Sequence, residues 1–238
     1  MNAYTRRTRL QRSLHSLGRS QFWRSWRWRG GLTALVIVMA LLVRFVAEIG
    51  YEQTPESRFL ITKVIDGDTV ELSGGERLRL LFIDTPERGE PYYDSAKALV
   101  QALTLGKVAE LHFGKRKRDG YGRLLATLLI DTLDINRELL RRGFANLYLF
   151  KDNLKDSATL DKIADLLQTQ QTALAEKRGL WSIARTEEER YVATKRSLRF
   201  HRPNCRLIHN HPPATLRVFK TREQALSEGL SPCRTCRP

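Results

Sequence analysis

Hydrophobic and polar positions divide the chain into an apolar run near the N-terminus, a central region of short alternating runs, and a polar tail. From Leu32 to Val43 no residue is charged, and the apolar stretch reaches Ala47 if Arg44 extends its side chain to the membrane surface. That gives about 16 apolar residues, short but usable against the roughly 20 that a spanning helix needs. We therefore expect a membrane anchor at residues 32–47.

Charges on either side of this run predict its orientation. Residues 1–31 contain eight Arg and no acidic residue, whereas Glu48, Glu52 and Glu56 follow the run in a linker of residues 48–57. By the positive-inside rule, the N-terminus stays in the cytoplasm and everything after the anchor is extracytoplasmic, where protease added to spheroplasts would reach it. Three other interpretations stay open: a cleaved secretory signal, an Arg-rich transit peptide and a buried core helix.

From Arg58 onward, apolar and polar residues alternate in short runs separated by Gly-rich or charged turns, a pattern typical of β-strands. The predicted strands are residues 59–65, 69–72, 78–83, 108–113 and 124–130. Helices are predicted at about residues 94–105, 136–143 and 155–178, the second with Asn136 as N-cap and Gly143 as its stop. Five strands with a helix after the third indicate an α+β fold, a five-stranded OB-type β-barrel with three helices, over residues 58–186.

The net charge of +15 sits at the two ends of the chain. The first 31 residues are purely basic, and residues 191–238 hold ten Lys and Arg against Glu223 and Glu228. The middle is therefore close to neutral. An active site there has to attract a phosphate through locally placed charges rather than through the charge of the whole protein.

Three polar clusters interrupt the predicted strands, at residues 66–69, 79–87 and 119–123. Phosphodiester hydrolysis needs a cation against the phosphate oxygens, a base for the attacking water, and donors for the charge that develops in the transition state. The clusters contain oxygen ligands, a glutamate and two arginines. Each residue on its own has a plainer interpretation as part of a turn or an exposed strand face, and Asp66-Gly67 is typical of a simple turn.

The roles follow from the chemistry of each side chain. Calcium prefers oxygen ligands, and Asp68, Asp84 and the Thr85 carbonyl supply them. Glu87 is then free to act as the base. Arginine forks take phosphate oxygens bidentately, which points to the two arginines of these clusters, Arg79 and Arg123.

A basic run lies just before the third cluster. Lys115, Arg116, Lys117 and Arg118 are expected in a solvated loop that contacts the nucleic-acid backbone.

The motifs IDGDTV at 65–70, R-x4-DTPE at 79–87 and DGYGR at 119–123 resemble those of the staphylococcal nuclease family, over about residues 58–185. The resemblance implies the same three calcium ligands, the same base and the same two arginines. It also implies products with a 3′-phosphate and a 5′-hydroxyl, and little sequence preference. The candidate aromatic contacts to nucleic acid are Tyr121, Tyr148 and Phe150. Phe150 stands where the family often has a second Tyr, and it cannot donate a hydrogen bond.

The tail of residues 191–238 carries a second candidate metal site. His201-x3-Cys205 and Cys233-x2-Cys236 provide four ligands suited to tetrahedral zinc, and they use every cysteine of the chain. His209 lies nearby as a competing ligand, as does His211. The stretches around these ligands resemble the zinc-binding domain of the Ada DNA-repair protein. His201 replaces the cysteine that accepts a methyl group there, so the resemblance implies structural zinc without methyl transfer.

Two classes of function follow. The first is a membrane-tethered, calcium-dependent nuclease acting on DNA or RNA, whose zinc module helps to hold the substrate. The second is a non-catalytic module of the same fold that binds nucleic acid or protein. Because none of the metal or base positions is lost, the sequence favours the nuclease. It predicts nucleic acid and the membrane as partners and indicates no obligate protein partner.

Overall fold

A computed structural model describes residue 39, residues 57–154 and residues 157–238. From residue 57 onward, these residues belong to one compact unit. The predicted basic segment, the apolar segment apart from Met39, and the linker up to residue 56 lie outside the described residues, so the anchor and its orientation stay predictions. Within the part of the chain that the structure describes, no helix is long and apolar enough to cross a membrane.

Strands of the first half of the compact unit close into a barrel. Their order in the sheet is β3-β2-β1-β5-β6-β7, and β3 also pairs in parallel with β6, which removes the open edges of the five longer strands. This confirms the predicted five-stranded OB-type barrel. The strands are β1 (Ser57–Val64), β2 (Thr69–Leu72), β3 (Arg77–Leu80), β4 (Ile83–Asp84), β5 (Val108–Arg118), β6 (Leu124–Ile130) and β7 (Leu133–Asp134).

The barrel core comes from the apolar positions that alternate along these strands. Fully buried side chains from five strands meet inside it: Ile61, Val70, Leu72, Leu78, Leu80, Leu111 and Leu128. Burying side chains of this size stabilises the fold by roughly 1.5–3 kcal/mol each. Alternating burial is clear on β3, where Leu78 and Leu80 are buried and Arg77 is exposed, whereas β6 is buried at nearly every position.

Three helices pack on the barrel, α1 (Tyr93–Thr104), α2 (Ile135–Arg141) and α3 (Ser157–Ala175). The prediction that Asn136 caps the second helix is wrong. Asp134 is the N-cap and accepts a hydrogen bond from the Arg137 amide at 3.0 Å. Asn136 is buried within α2, where its side chain accepts from Leu128 N and donates to the Leu81 carbonyl. It therefore ties the helix to the barrel.

The third predicted strand is interrupted. It ends at Leu80, and Phe82 takes a φ of 66°, so the chain turns before β4. Strand β4 then pairs with β8 (Asn146–Leu147) instead of extending β3, with Asp84 opposite Asn146. This turn moves Asp84 away from the line of β3 and towards the loop that carries Asp68.

The fourth predicted strand, in contrast, is longer than expected. Strand β5 continues to Arg118, where it pairs with Leu124 of β6. The basic run Lys115, Arg116, Lys117 and Arg118 consequently lies on the end of a strand, and the prediction of a loop is wrong. Arg118 pairs with Leu124 beyond an irregularity in the register after Phe113, and a sequence pattern does not show this pairing, which extends the strand.

The tail forms two small sheets and a helix. Its elements are β9 (Tyr191–Thr194), β10 (Arg199–Phe200), β11 (Leu216–Phe219), α4 (Arg222–Ser227) and β12 (Ser231–Pro232). Strands β9 and β11 pair antiparallel, and β10 and β12 pair in parallel.

Apolar side chains of the tail share a core with the end of the preceding domain. Phe200, Phe219 and Leu226 cluster with Leu180 and Trp181. In addition, Ser231 Oγ donates to the Leu147 carbonyl at 2.5 Å, and Gln170 Nε2 donates to the Leu226 carbonyl at 3.3 Å. The tail is therefore packed onto the barrel rather than joined to it by a free linker.

Candidate active site and metal site

The turn between β1 and β2 places Asp68 at the candidate active site. Its carboxylate is buried and accepts hydrogen bonds from Thr69 Oγ1 at 3.0 Å and from both N and Oγ1 of Thr85 at 3.2 Å. A Cβ at Gly67 would lie 2.7 Å from Ala96 Cβ and 2.8 Å from Thr85 Oγ1. The turn therefore needs glycine at 67 so that the Asp68 loop can sit against the Thr85 loop.

Arg79 joins the two aspartates. Its Nη2 lies 3.0 Å from Asp68 Oδ2 and 2.9 Å from Asp84 Oδ1, while its Nη1 donates to the carbonyls of Leu80 and Ile83 at 2.6 and 2.8 Å. The side chain is only 11% exposed. Arg79 thus fixes the turn after β3 and holds both carboxylates beside one another, a positioning role that the sequence did not predict.

Two carboxylates held this way suit a divalent cation. Burial raises the pKa of the Asp84 carboxyl against the opposing effect of Arg234 and Arg79, and burial together with the charge of Asp68 raises the pKa of Asp66. These shifts show that negative charge is costly here in the absence of a metal. A hard cation with oxygen ligands would remove that cost, so Asp68, Asp84 and the Thr85 carbonyl fit the predicted calcium site.

Glu87 lies beside this pair in a different environment. Its side chain is 65% exposed, in the loop after β4 whose backbone is held by a hydrogen bond from Glu87 N to Glu90 Oε2 at 2.9 Å. Water therefore reaches its carboxylate freely. A carboxylate next to a metal site but outside the buried pair can take a proton from a metal-side water.

Arg123 is positioned by the DGYGR turn. Its Nε and Nη2 both lie 2.8 Å from Asp119 Oδ2, and Nη1 lies 3.4 Å from Thr69 Oγ1, the hydroxyl that also contacts Asp68. Hydrogen bonds and the charge of Arg123 lower the pKa of Asp119 although burial opposes this. Tyr121 is exposed at the tip of the turn, with its ring 5.5 Å from the Arg123 guanidinium. Asp119 and Thr69 therefore orient the Arg123 guanidinium next to the candidate metal ligand Asp68.

The remaining nucleic-acid candidates lie apart from one another. Arg118 is engaged by Glu76 at 2.9 Å, at the end of β5 that carries the basic run 115–118. Tyr148 packs edge-on against Phe150 at 5.3 Å, and its ring lies 3.5 Å from the guanidinium of Arg199 in the tail. A nucleic-acid base would have to share or displace that arginine to stack on Tyr148. Nucleic-acid contacts at these positions stay predictions.

The four candidate zinc ligands come together. Their ligand atoms all lie within 4.8 Å of one another; the residues are His201, Cys205, Cys233 and Cys236. His201 Nδ1 is buried and has no hydrogen-bond partner among residues 57–154 and 157–238. Burial lowers the pKa of His201, which leaves a neutral imidazole with a free lone pair at neutral pH. His209 and His211 are exposed and outside this cluster.

Thiol chemistry also fits a metal. Burial raises the pKa of Cys236 to about 12, whereas for Cys233 burial is outweighed by hydrogen bonds from the amides of Cys236 and Thr235, and the pKa falls. Without a cation, Cys236 therefore stays a neutral thiol. Zinc would draw the proton from such a buried thiol because coordination stabilises the thiolate. The likeness of this region to the Ada domain stays a prediction.

Two residues of the site were missed by the sequence analysis. Arg234, between two candidate zinc ligands, donates through Nε to Asp84 Oδ2 at 3.2 Å and through Nη2 to Asp84 Oδ1, and its Nη1 lies 3.7 Å from Glu87 Oε1. Asn146, opposite Asp84 in the β4–β8 pair, has a buried Oδ1 without a hydrogen-bond partner in the described part of the chain. No short-range signal marks either residue, because each reaches the site through long-range packing.

The family model described as "Staphylococcal nuclease homologue" matches residues 77–183. An uncharacterized endonuclease of Escherichia coli O157:H7 is 31% identical over 128 residues, which cover 52% of this chain and 76% of that protein. The thermonuclease of Staphylococcus hyicus is 28% identical over 169 residues, covering 63% and 96% respectively. Endonuclease YncB of Bacillus subtilis (strain 168) is 32% identical over 136 residues, covering 51% and 60%. With these motifs, this barrel and these relatives, the chain belongs to the staphylococcal nuclease homologue family.

Proposed function

We propose that this protein is a calcium-dependent nuclease that hydrolyses phosphodiester bonds of DNA or RNA with little sequence preference. The observation that carries the proposal is the pair of carboxylates, buried Asp68 and half-buried Asp84, that Arg79 holds close to the exposed carboxylate of Glu87. The names of the relatives, endonuclease and thermonuclease, support an enzyme of the nuclease class.

The residues divide the work of hydrolysis. Asp68, Asp84 and the Thr85 carbonyl would hold calcium, which would supply positive charge against the phosphate. Glu87 accepts the proton of the attacking water, as its exposed position allows. Arg123 is held by Asp119 and offers its remaining N–H groups to the phosphate oxygens, where charge develops in the five-coordinate transition state. As the water oxygen bonds to phosphorus, the P–O5′ bond breaks, so the phosphate stays on the 3′ side and the 5′ oxygen takes a proton from solvent water and leaves as a hydroxyl.

Cleavage assays with and without calcium test this function. The purified protein should degrade DNA, RNA or both when calcium is present and stop when a calcium chelator is added. A protein that binds these substrates in calcium but leaves them intact would instead be a non-catalytic binding module.

The tail is proposed to hold one structural zinc ion. We expect about one zinc per chain in protein purified without chelators, and loss of the metal in Cys233→Ser because a closed tetrahedral site needs all four ligands. The Tm of the Cys233→Ser variant should fall by several degrees, since in a chain of this size each kcal/mol lost from the free energy of unfolding lowers Tm by about 2–4 °C. Metal analysis and thermal unfolding measure both effects.

A matched control is His209→Ala, which removes an exposed histidine of the same tail outside the cluster. It should keep its zinc and its Tm. Folded wild-type protein without zinc, or equal zinc loss in the control, would contradict the ligand assignment.

A further inference from the structure

The zinc cluster and the active site are joined by one side chain. Arg234 lies in the turn after β12, between Cys233 and Cys236, so any metal held by the two cysteines fixes the backbone on both sides of it. Thr235 N donates to Cys233 Sγ at 3.4 Å, which holds the turn against the sulfur. From this position the guanidinium reaches Asp84 and comes within 3.7 Å of Glu87.

The surroundings of Arg234 form a cleft between barrel and tail. The cleft has a volume of about 530 Å³, and Asp84, Thr85 and Glu87 line its barrel side. Its tail side carries Arg234 and Arg237, and Arg237 Nη1 lies 2.8 Å from Glu90 Oε1. The candidate base and the cations of the tail thus face the same space, in which a polyanionic chain would be attracted.

Arg234 and Arg79 differ in their freedom to move. Arg79 is 11% exposed and bound to two carbonyls as well as two carboxylates. Arg234 is 55% exposed, and among its hydrogen bonds in the described chain all go to Asp84. A cation that binds Asp84 competes with those bonds, because both draw on the same carboxylate oxygens. Arg234 can then turn away from Asp84, whereas Arg79 stays.

We propose that Arg234 is a substrate-contacting residue of the nuclease centre, supplied by the zinc module, which pairs with a phosphate oxygen of the nucleic acid once a metal occupies Asp84. This inference rests on the proposed nuclease function. A guanidinium 3.7 Å from Glu87 is close enough to contact a phosphate attacked by a water that Glu87 activates, and its planar fork matches two phosphate oxygens. The zinc site positions this arginine, so the role of the zinc site extends beyond folding of the tail.

Binding of a single-stranded oligonucleotide in the presence of calcium tests the contact, in a Glu87→Gln background so that the probe stays intact. Adding Arg234→Gln should weaken oligonucleotide binding about 10-fold, the factor expected when one hydrogen bond to a charged group is lost. The salt slope of log K should flatten by about 0.7, as expected when one phosphate contact to a single strand is lost. Arg234→Lys should restore the slope but only part of the affinity, because it keeps the charge and loses the fork.

Arg206→Gln is the matched control, since Arg206 is exposed on the same module and makes no hydrogen bond or ion pair with Asp84 or Glu87 in the described chain. If Arg234→Gln leaves the affinity for the oligonucleotide unchanged, the proposal is overturned. A variant that binds calcium more tightly but binds the oligonucleotide as before also overturns it. An effect of Arg206→Gln equal to that of Arg234→Gln also overturns it, because the module's overall charge then explains the loss. Failure of the wild type to cleave would instead overturn the nuclease function, which the binding measurement does not require.

Discussion

Glu87→Gln should slow cleavage of DNA by about 10²- to 10⁴-fold, the range that a positioned general base contributes. The amide has nearly the same shape but cannot accept the proton of the attacking water. Because the Glu87 side chain is 65% exposed and lies outside the buried carboxylate pair, the fold and calcium binding should be kept. Single-turnover rates at saturating calcium, together with a calcium titration, measure the effect.

A suitable control for this substitution is Glu71→Gln. Glu71 is a carboxylate of the same barrel, on β2, and within the described residues it makes no ion pair with Arg79 or Arg123. Its activity should match the wild type. If Glu87→Gln turned over at a rate close to that of Glu71→Gln, another group would have to be the base.

Arg79→Lys should lower kcat by about 10²-fold, the loss expected when the groups that act on the substrate are misplaced by about 1 Å. One ammonium cannot sit in two places, so it cannot hold the carbonyls of Leu80 and Ile83 and also both Asp68 and Asp84. We therefore expect weaker calcium binding as well as slower chemistry, and a calcium titration separates the two effects.

The neighbouring arginine provides the comparison for Arg79→Lys. Arg77 lies two residues earlier on β3 and is exposed, so Arg77→Lys keeps the strand while leaving the buried carboxylates alone. It should have nearly normal kcat and calcium affinity. If Arg79→Lys and Arg77→Lys had the same kcat and the same calcium affinity, Arg79 would not have the positioning role assigned to it.

Sequence patterns predicted the barrel and most of the site because the information is local. Alternating apolar residues specify which face of each strand is buried, as at Leu78 and Leu80. Asp84 ends β4, and Thr85 and Glu87 lie in the loop that follows it, so the motif already places the candidate ligands and the candidate base together. The cluster of His201, Cys205, Cys233 and Cys236 was predicted for a similar reason, since Cys-x2-Cys brings two sulfurs close by itself.

Other features depend on contacts between distant parts of the chain. Arg234 reaches Asp84 across 150 positions, and only the packing of the tail on the barrel creates that contact. Asparagine is a residue type that often caps helices. In the folded protein, however, the Asn136 side chain is buried and hydrogen-bonds Leu128 N and the Leu81 carbonyl. Local propensity cannot resolve such cases, because the partners that decide them are absent from the segment itself.

Because the tail packs against the preceding domain, deleting it would affect folding as well as any contact that the tail makes with the substrate. Leu226 and Phe219 share a core with Trp181, so removing residues 191–238 would expose apolar surface of the remaining chain. Single substitutions at Arg234 or Cys233 separate substrate contact, zinc binding and folding more cleanly than truncation does.

Calcium-dependent cleavage by the intact protein tests the central claim most directly. Purified protein is freed of loosely bound metal, incubated with DNA and RNA substrates, and assayed with calcium, with a calcium-selective chelator, and after calcium is restored. If Asp68, Asp84 and the Thr85 carbonyl hold the metal as proposed, cleavage appears with calcium, stops with the chelator, returns on restoration, and leaves 3′-phosphate ends. Undiminished cleavage in the chelator would contradict the account.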